Sequence, residues 1–370
     1  MLIYWIILCW VLLVGGLGRL YPRTALNDNK LYEKRCNIFF AILTFSIIIF
    51  FVGLRSGVLD TSAYINGFRN TTTGISALNQ DYEGKDIGFY YLNVIFKTFI
   101  SSDFHAFLFM IALVCGIATM LPLYKYSPMF ELSSFLFVST ANFTWMLNGI
   151  RQFIPASILF CCIPLIVNKN RYLFICIVIL LSTIHFSAII MIPVYFLVQR
   201  KFTKNIIPLI LFFGLFSLFS GKLIPMLEPL LENTQYAGYT DYVFEYSGSS
   251  IFRVLVASVP ILIAVIKWEE IKNMDSKILN ICLNMSVINI GIMIVSSAVG
   301  GILIGRLSIY FELYNLILYP MLFIQFTNKK ERRLIYYLCI VFYTLYFYYQ
   351  IVVVWKLPYV SDILNLYIYN

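Results

Sequence analysis

Residues 104–121 read FHAFLFMIALVCGIATML and contain no Asp, Glu, Lys or Arg. A run of this length is close to the roughly 20 residues that a helix needs to cross the hydrocarbon layer of a bilayer. Uncharged runs recur at 38–54, 206–220 and 334–355. A membrane-spanning barrel would instead show short segments of alternating polarity, which the sequence lacks. The sequence therefore predicts an all-α, polytopic integral membrane protein.

The composition of the chain agrees with a membrane protein. Of 370 residues, 61% are hydrophobic and 12% are charged, whereas about a quarter of the residues of soluble domains are charged. A net charge of +9 is compatible with nucleic-acid binding. However, the basic residues lie mostly in short loops between apolar runs, which is typical of cytoplasmic loops. The charge is therefore interpreted as a topology signal, and no nucleic-acid partner is expected.

The distribution of Lys and Arg predicts the topology. If the loop 19–35 is cytoplasmic, alternation along 1–370 gives a single transmembrane domain with about 12 crossings. This arrangement places 18 of the 27 basic residues inside. Two outer loops of substantial size result, namely 55–103, with partly re-entrant or amphipathic helices, and 222–253. The segments 130–167 and 172–198 become hairpins, with outer tips near Arg151 and His185.

A few isolated charged or titratable residues fall on the predicted outer side. A charge at membrane depth costs about 3 kcal/mol on insertion scales, so each one is a candidate functional residue. They are Arg55, Asp60, Asp86, Arg151, His185 and Arg306. Three arginines suit a diphosphate, because a guanidinium binds phosphate oxygens in a bidentate manner. Alternatively, each arginine extends to the lipid headgroups or pairs with an acid, as Glu312 would for Arg306.

Two acids and one histidine are candidate catalytic residues. Asp60 or Asp86 can accept a proton from an attacking hydroxyl, as general-base catalysis requires. Either of them can instead be the counter-ion that holds Arg55. His185 can act as a base or as a donor to a phosphate, because histidine titrates near neutral pH. Alternatively, His185 is a core residue whose hydrogen bonds are made within the protein and which has no part in catalysis.

Metal and cofactor motifs receive little support from the sequence. The eight cysteines lack CxxC spacing, so no zinc site is predicted. Asp81 and Glu83 have a spacing found in some carboxylate metal sites, but their polar loop favours a solvated turn. No nucleotide-binding, serine-hydrolase or zinc-protease motif is present. Four outer tyrosines can stack on sugars, although an interfacial aromatic belt is the favoured explanation: Tyr236, Tyr239, Tyr242 and Tyr246.

Five segments of the sequence, in this order, resemble the EpsG family of Wzy-type exopolysaccharide and O-antigen polymerases. They are Arg55 with Asp60 and Tyr64, Asp86 to Phe89, Asn148 to Gln152, His185 to Ala188, and Arg306 ahead of Tyr310. Two departures are visible. Asp86 stands where many relatives would have Glu, and the bulky pair Val58-Leu59 precedes Asp60 where smaller residues are usual.

The resemblance implies a fold similar to the GT-C glycosyltransferases. It also implies that undecaprenyl-diphosphate-linked repeat units are joined on the periplasmic face of a bacterial inner membrane, by inverting transfer and without a cofactor. Tyr64, Asn148, Gln152 and Tyr310 would support the site. A chain-length regulator and a flippase are the implied protein partners. The alternatives are a lipid-linked oligosaccharide flippase and a membrane sugar acyltransferase with His185 as base, but charges gathered on one face favour a polymerase.

Overall fold

A computed structural model of the chain describes most of its residues. The described residues are 2–26, 32–75, 84, 86–203, 214–215, 217, 249–299, 304–326 and 328–368. Several sequence-based predictions lie outside them, namely the carboxylate pair Asp81 and Glu83, the four outer tyrosines from Tyr236 to Tyr246, and residues 222–248 of the second outer loop.

The contacts between residues divide the chain into two compact units. The first unit comprises 1–190 and 326–370, and the second comprises 191–325. The described helices of the first unit are α1 (Leu2–Leu20), α2 (Ile38–Gly53), α3 (Thr61–Asn70), α4 (Ile87–Phe99), α5 (Phe104–Tyr126), α6 (Phe130–Ser139), α7 (Ile150–Cys161), α8 (Ile163–Val167), α9 (Arg171–Ser182) and, near the C-terminus, a helix at Lys329–Tyr348.

The described secondary structure of the second unit is also helical. Its helices are α10 (Met191–Leu197), α11 (Ile251–Ile266), α12 (Trp268–Ile271), α13 (Lys277–Val299) and α14 (Ile309–Phe323). The helix Lys329–Tyr348 of the first unit is therefore α15, and it continues as a π-helix at Tyr349–Val354. Two antiparallel hairpins complete the described elements: β1 (Arg23–Leu26) with β2 (Tyr32–Arg35), and β3 (Tyr359–Ser361) with β4 (Leu366–Ile368).

The helix lengths confirm an all-α membrane protein. Four helices are long and apolar enough to cross a bilayer, and six shorter apolar helices have 10–17 residues, all counted within the described part of the chain. The four long ones are α1, α5, α13 and α15 with its π-helical continuation. The count of 12 crossings and the GT-C architecture stay predictions.

Both predicted hairpin tips coincide with interruptions of helical structure. Between α6 and α7 the chain forms a short 3-10 helix at Asn142–Met146 and then a turn. After α9 it turns at 183–185 and enters a second 3-10 helix at Phe186–Ile190. Backbone groups freed by such breaks need hydrogen-bond partners where no water is available. A break at membrane depth is therefore either buried in protein or borders a water-filled cavity. The side of the membrane on which these turns lie stays a prediction.

The centre of the first unit is a close contact between α2 and α5. A Cβ added to Gly116 of α5 would lie 2.4 Å from Cγ1 of Ile49 on α2. On the neighbouring face of α2, Phe45 stacks on Phe137 of α6 with ring centroids 5.6 Å apart. Association of helices in lipid depends on such packing, because apolar surface gains little by leaving lipid for protein.

The predicted first outer loop contains the helices α3 and α4. Helix α3 buries Thr61, Ile65 and Phe68, which lie on one face at helical spacing. Phe68 stacks on Phe107 of α5, with 4.6 Å between the ring centroids. Lys97 of α4 donates to three carbonyl oxygens at the end of α3, over 2.7 to 3.1 Å. A lysine at this position satisfies terminal carbonyls and complements the helix dipole.

The C-terminal hairpin holds the loop that follows α2. The backbone N–H of Ser56 donates to the carbonyl of Val360 over 2.8 Å. The hydroxyl of Tyr359 donates to the Phe51 carbonyl over 2.9 Å, and the hydroxyl of Tyr4 donates to the Pro358 carbonyl over 2.8 Å. Strand β3 therefore supplies partners for backbone groups at the end of α2.

We expect Gly116→Ala to lower the thermal unfolding temperature of the detergent-solubilised protein. The added methyl group meets Ile49, and overpacking of this kind costs about 1–3 kcal/mol. Gly16→Ala is the matched control, because a Cβ there has no other atom within 4 Å. Alanine favours helix over glycine at both positions, so equal stability of the two variants would contradict the close contact between α2 and α5.

Candidate functional site

Arg55 links the end of α2 to the start of α3. Its side chain is buried, with 1% of its surface exposed. The Nε–H donates to Oγ1 of Thr61 over 2.9 Å, and Nη1 donates to the carbonyl oxygen of Val52 over 2.6 Å. The hydroxyl of Thr61 in turn donates to the Val58 carbonyl. The guanidinium therefore fixes the loop that precedes Asp60.

The charge of Arg55 has no carboxylate partner among the described residues. Its Nη2 forms no hydrogen bond there. Burial lowers the pKa of Arg55 to about 10, and this effect is opposed by nearby tyrosines, among them Tyr64 and Tyr359. The group therefore stays charged at neutral pH. Asp60 is exposed, and Asp86 pairs with a different arginine, so neither carboxylate is the counter-ion of Arg55 in this structure.

Asp86 and Arg151 form an ion pair between the start of α4 and the start of α7. Arg151 Nη1 lies 3.0 Å from Asp86 Oδ2, with 11% of the aspartate side chain and 44% of the arginine side chain exposed. Asp86 has a left-handed backbone with φ of 59°, and its carbonyl accepts the N–H of Phe89. A guanidinium has five N–H donors, so the exposed part of Arg151 can bind further oxygens.

The start of α4 also contacts the turn that precedes His185. The N–H of Gly88 donates to the carbonyl of Thr183 over 2.8 Å. A Cβ at Gly88 would lie 2.2 Å from Oγ1 of Thr183 and 2.9 Å from the backbone nitrogen of Ile184. Only glycine permits this approach without a shift of the backbone. The acid-x-Gly segment and the histidine segment are therefore in direct contact.

His185 belongs to a hydrogen-bonded chain that reaches α7. Its Nδ1 lies 2.7 Å from Oγ of Ser187. Nε2 of Gln152 donates to the same Ser187 oxygen over 3.2 Å. Ser187 and Gln152 are buried, and His185 is half-buried. Because Gln152 follows Arg151, this chain and the ion pair meet at the first turn of α7.

Three further predicted site residues lie near these segments in sequence or space. The ring of Tyr64 on α3 contacts Phe89 of α4, with 6.2 Å between centroids. The carboxylate of Asp60 is exposed and does not cap α3. Oδ1 of Asn148 is buried, and it has no hydrogen-bond partner in the described part of the chain. Tyr64 thus connects α3, which follows Asp60, to α4, which follows Asp86.

Arg306 and Tyr310 belong to the second unit. Arg306 is exposed in a 3-10 turn, Gly305–Ser308, that leads into α14. Tyr310 is buried in the first turn of α14, and Glu312 is half-buried on the same helix. The expectation that Arg306 joins Arg55 and Arg151 at one diphosphate stays a prediction.

Several residues of the site region were not singled out from the sequence. Gly88 and Ser187 lie inside two of the segments quoted from the sequence. The spacings acid-x-Gly and His-x-Ser were the sequence signals that could have identified them. Strand β3 had no such signal, because its contact through Val360 with Ser56 joins residues that lie far apart in the chain. Long-range pairing of this kind leaves no local pattern.

We expect Thr61→Val to destabilise the protein by about 1–3 kcal/mol, because a buried donor, Nε of Arg55, loses its acceptor while the side-chain shape is retained. Thermal unfolding in detergent would measure the loss. Thr73→Val is the control at an exposed threonine, for which little change is expected. If both variants unfold at the wild-type temperature, the Arg55–Thr61 hydrogen bond does not stabilise this loop.

Comparison with known protein families gives a match over most of the chain. Residues 37–361, which make up most of the chain, match the EpsG family. All five segments quoted from the sequence, from Arg55 to Tyr310, lie within that range. Neither a curated protein nor a solved structure matches the chain. The chain belongs to the EpsG family, whose members are Wzy-like polymerases, and it is thus a membrane protein of the polysaccharide-polymerase type.

Proposed function

We propose that this protein joins oligosaccharide repeat units carried on undecaprenyl diphosphate, at the periplasmic face of a bacterial inner membrane. One observation carries the proposal. Segments far apart in sequence meet in a single side-chain cluster, through the Asp86–Arg151 ion pair, the Gly88–Thr183 contact and the Gln152–Ser187–His185 chain. Family membership supports the polymerase class.

Arg151 is the proposed ligand of the diphosphate leaving group. Its side chain is 44% exposed, and Asp86 orients it through one nitrogen. Negative charge develops on the leaving phosphate oxygen as the glycosidic bond breaks, so a preoriented guanidinium stabilises the transition state more than the ground state. Arg306 remains a predicted second ligand.

The buried position of Arg55 supports a different task from that of Arg151. Arg55 holds the loop before α3 through Thr61 and Val52. We assign it the positioning of Asp60, and its direct contact with the diphosphate remains a prediction. Strand β3, near the end of the sequence, supports the same loop through the hydrogen bond from the Ser56 N–H to the Val360 carbonyl.

The proposed reaction is a single displacement. The acceptor hydroxyl oxygen of one lipid-linked unit attacks the anomeric carbon of the growing chain, and the bond from that carbon to the phosphate oxygen breaks. The electron pair leaves with undecaprenyl diphosphate, and a general base takes the hydroxyl proton. Attack opposite the leaving group inverts the anomeric centre. Asp60 and His185 are the candidate bases, since the carboxylate of Asp86 is engaged by Arg151.

We expect Arg151→Ala to abolish long polysaccharide chains while single repeat units still reach the cell surface. The loss of one preoriented donor at a developing anion typically costs about 10²–10³ in rate. The measurement is the silver-stained surface-polysaccharide profile of a deletion strain complemented with each variant at equal membrane level. Arg171→Ala, at an exposed position at the start of α9, is the matched control and should retain long chains.

Two outcomes would contradict the proposed function. Long chains of normal length in the Arg151→Ala strain would remove this arginine from the site. If the deletion strain brings no repeat unit to the outer face at all, the protein acts in transport of the lipid-linked unit, and the flippase alternative is favoured.

A further inference from the structure

Asp60 stands directly before α3, at a position where an aspartate usually caps the helix. A capping aspartate accepts a backbone N–H of the first turn and thereby stabilises the helix. The side chain of Asp60 forms no such bond, and it is exposed. The other candidate base, His185, is half-buried and hydrogen-bonded to Ser187. The carboxylate of Asp60 is therefore the more open of the two groups.

The residue before Asp60 has an unfavourable backbone conformation. Leu59 has φ of 50°, in the left-handed region where a Cβ crowds the following carbonyl oxygen. Val58 is fully buried, and its carbonyl accepts the N–H of Thr61 over 3.0 Å, which closes a tight turn. A strained residue persists only where the surrounding structure holds it. The exposed position of Asp60 therefore depends on the contacts that support this turn.

The C-terminal hairpin, β3 with β4, supplies contacts to the loop between α2 and this turn. Ser361 of β3 is fully buried, and its hydroxyl donates to the carbonyl of Leu54. From the loop, Oγ of Ser56 accepts the N–H of Asp362 over 3.0 Å. The N–H of Ser56 donates to the carbonyl of Val360. These hydrogen bonds fix the first part of the loop against the hairpin.

The hairpin also lies close to Gly57, two residues before Leu59. The N–H of Gly57 points to the Val360 carbonyl at 3.4 Å. A Cβ added to Gly57 would lie 3.2 Å from Cβ of Val360, closer than carbon atoms usually pack. A displacement of β3 is therefore passed directly to the turn that precedes Asp60.

We infer that the C-terminal hairpin is part of the catalytic site, with Asp60 as the general base and with Ser361 and Ser56 as positioning residues. This inference rests on the proposed function. The hairpin holds one end of the loop, and the hydrogen bond from Arg55 to Thr61 holds the other. The turn between these supports keeps the carboxylate open to substrate. Asp60 accepts the proton of the acceptor hydroxyl as its oxygen bonds to the anomeric carbon and the bond from that carbon to the phosphate oxygen breaks.

The test is a double-mutant cycle between Ser361 and Asp60. Membranes of the complemented deletion strain, matched for the level of each variant, convert endogenous radiolabelled lipid-linked repeat units into polymer, and the initial rate is measured. The four proteins are the wild type, Ser361→Ala, Asp60→Asn and the double variant. A residue that acts only by positioning Asp60 has no effect once the carboxylate is removed, whereas a merely structural role lowers the rate in both backgrounds.

We expect Asp60→Asn to lower the rate by about 10²–10⁴-fold, the usual contribution of a general base. Ser361→Ala should lower the rate by about tenfold or more when Asp60 is present, because a small displacement of a catalytic group is costly. In the Asp60→Asn background the same change should cost less than about twofold.

Ser134→Ala is the matched control for the loss of a buried serine hydroxyl. Ser134 is also fully buried and donates to the carbonyl of Phe130, so this variant should polymerise at the wild-type rate. If Ser361→Ala does not accumulate in the membrane, Ser56→Ala takes its place in the cycle, because it removes the acceptor of the Asp362 N–H.

Three results separate this inference from the function on which it rests. If Ser361→Ala has the same effect in both backgrounds, or none, the hairpin has no positioning role and the inference is overturned. If Asp60→Asn is as fast as the wild type, Asp60 is not the base, and the inference is again overturned while polymerisation stands. If wild-type membranes form no polymer from lipid-linked units, the proposed function itself fails.

Discussion

Backbone groups released by a helix break need a partner inside the protein wherever lipid replaces water, and this constraint organises the first unit. Two helical segments are interrupted, before α7 and after α9, and a third chain segment meets the second break. The hydrogen bond from the Gly88 N–H to the Thr183 carbonyl satisfies one of the freed groups. It also brings Asp86, two residues earlier, within reach of Arg151. The same backbone hydrogen bond therefore helps to assemble the polar cluster.

Arg55 and Arg151 differ in exposure, and this difference suits them to different roles. Arg55 is enclosed and donates through two nitrogens to Thr61 and to the Val52 carbonyl, whereas Arg151 keeps nearly half of its side chain exposed beside the carboxylate of Asp86. Among the described residues no carboxylate pairs with Arg55, and a buried unpaired charge is costly, so the hydrogen bonds to Thr61 and Val52 and the support of its loop by β3 offset part of that cost. An exposed and oriented guanidinium is instead free to bind an anion.

The cluster at the start of α7 combines the Asp86–Arg151 ion pair with a hydrogen-bonded histidine. Arg151 is oriented by Asp86, and His185 is oriented by Ser187 and Gln152. Preorganised donors of this type need no reorientation when charge develops, and they are therefore effective in a dry site. This arrangement is the one on which the proposed role of Arg151 at the diphosphate depends.

The sequence by itself determined the membrane class and the helical fold and indicated the segments of the candidate site, because uncharged runs and isolated charges are local properties of the chain. It also located both helix breaks, near Arg151 and His185. The partner of Asp86, the contacts of His185 with Ser187 and the support of the Arg55 loop by β3 were decided only by the tertiary structure. Each of these depends on contacts between residues far apart in the chain, and such contacts leave no spacing or periodicity in the sequence.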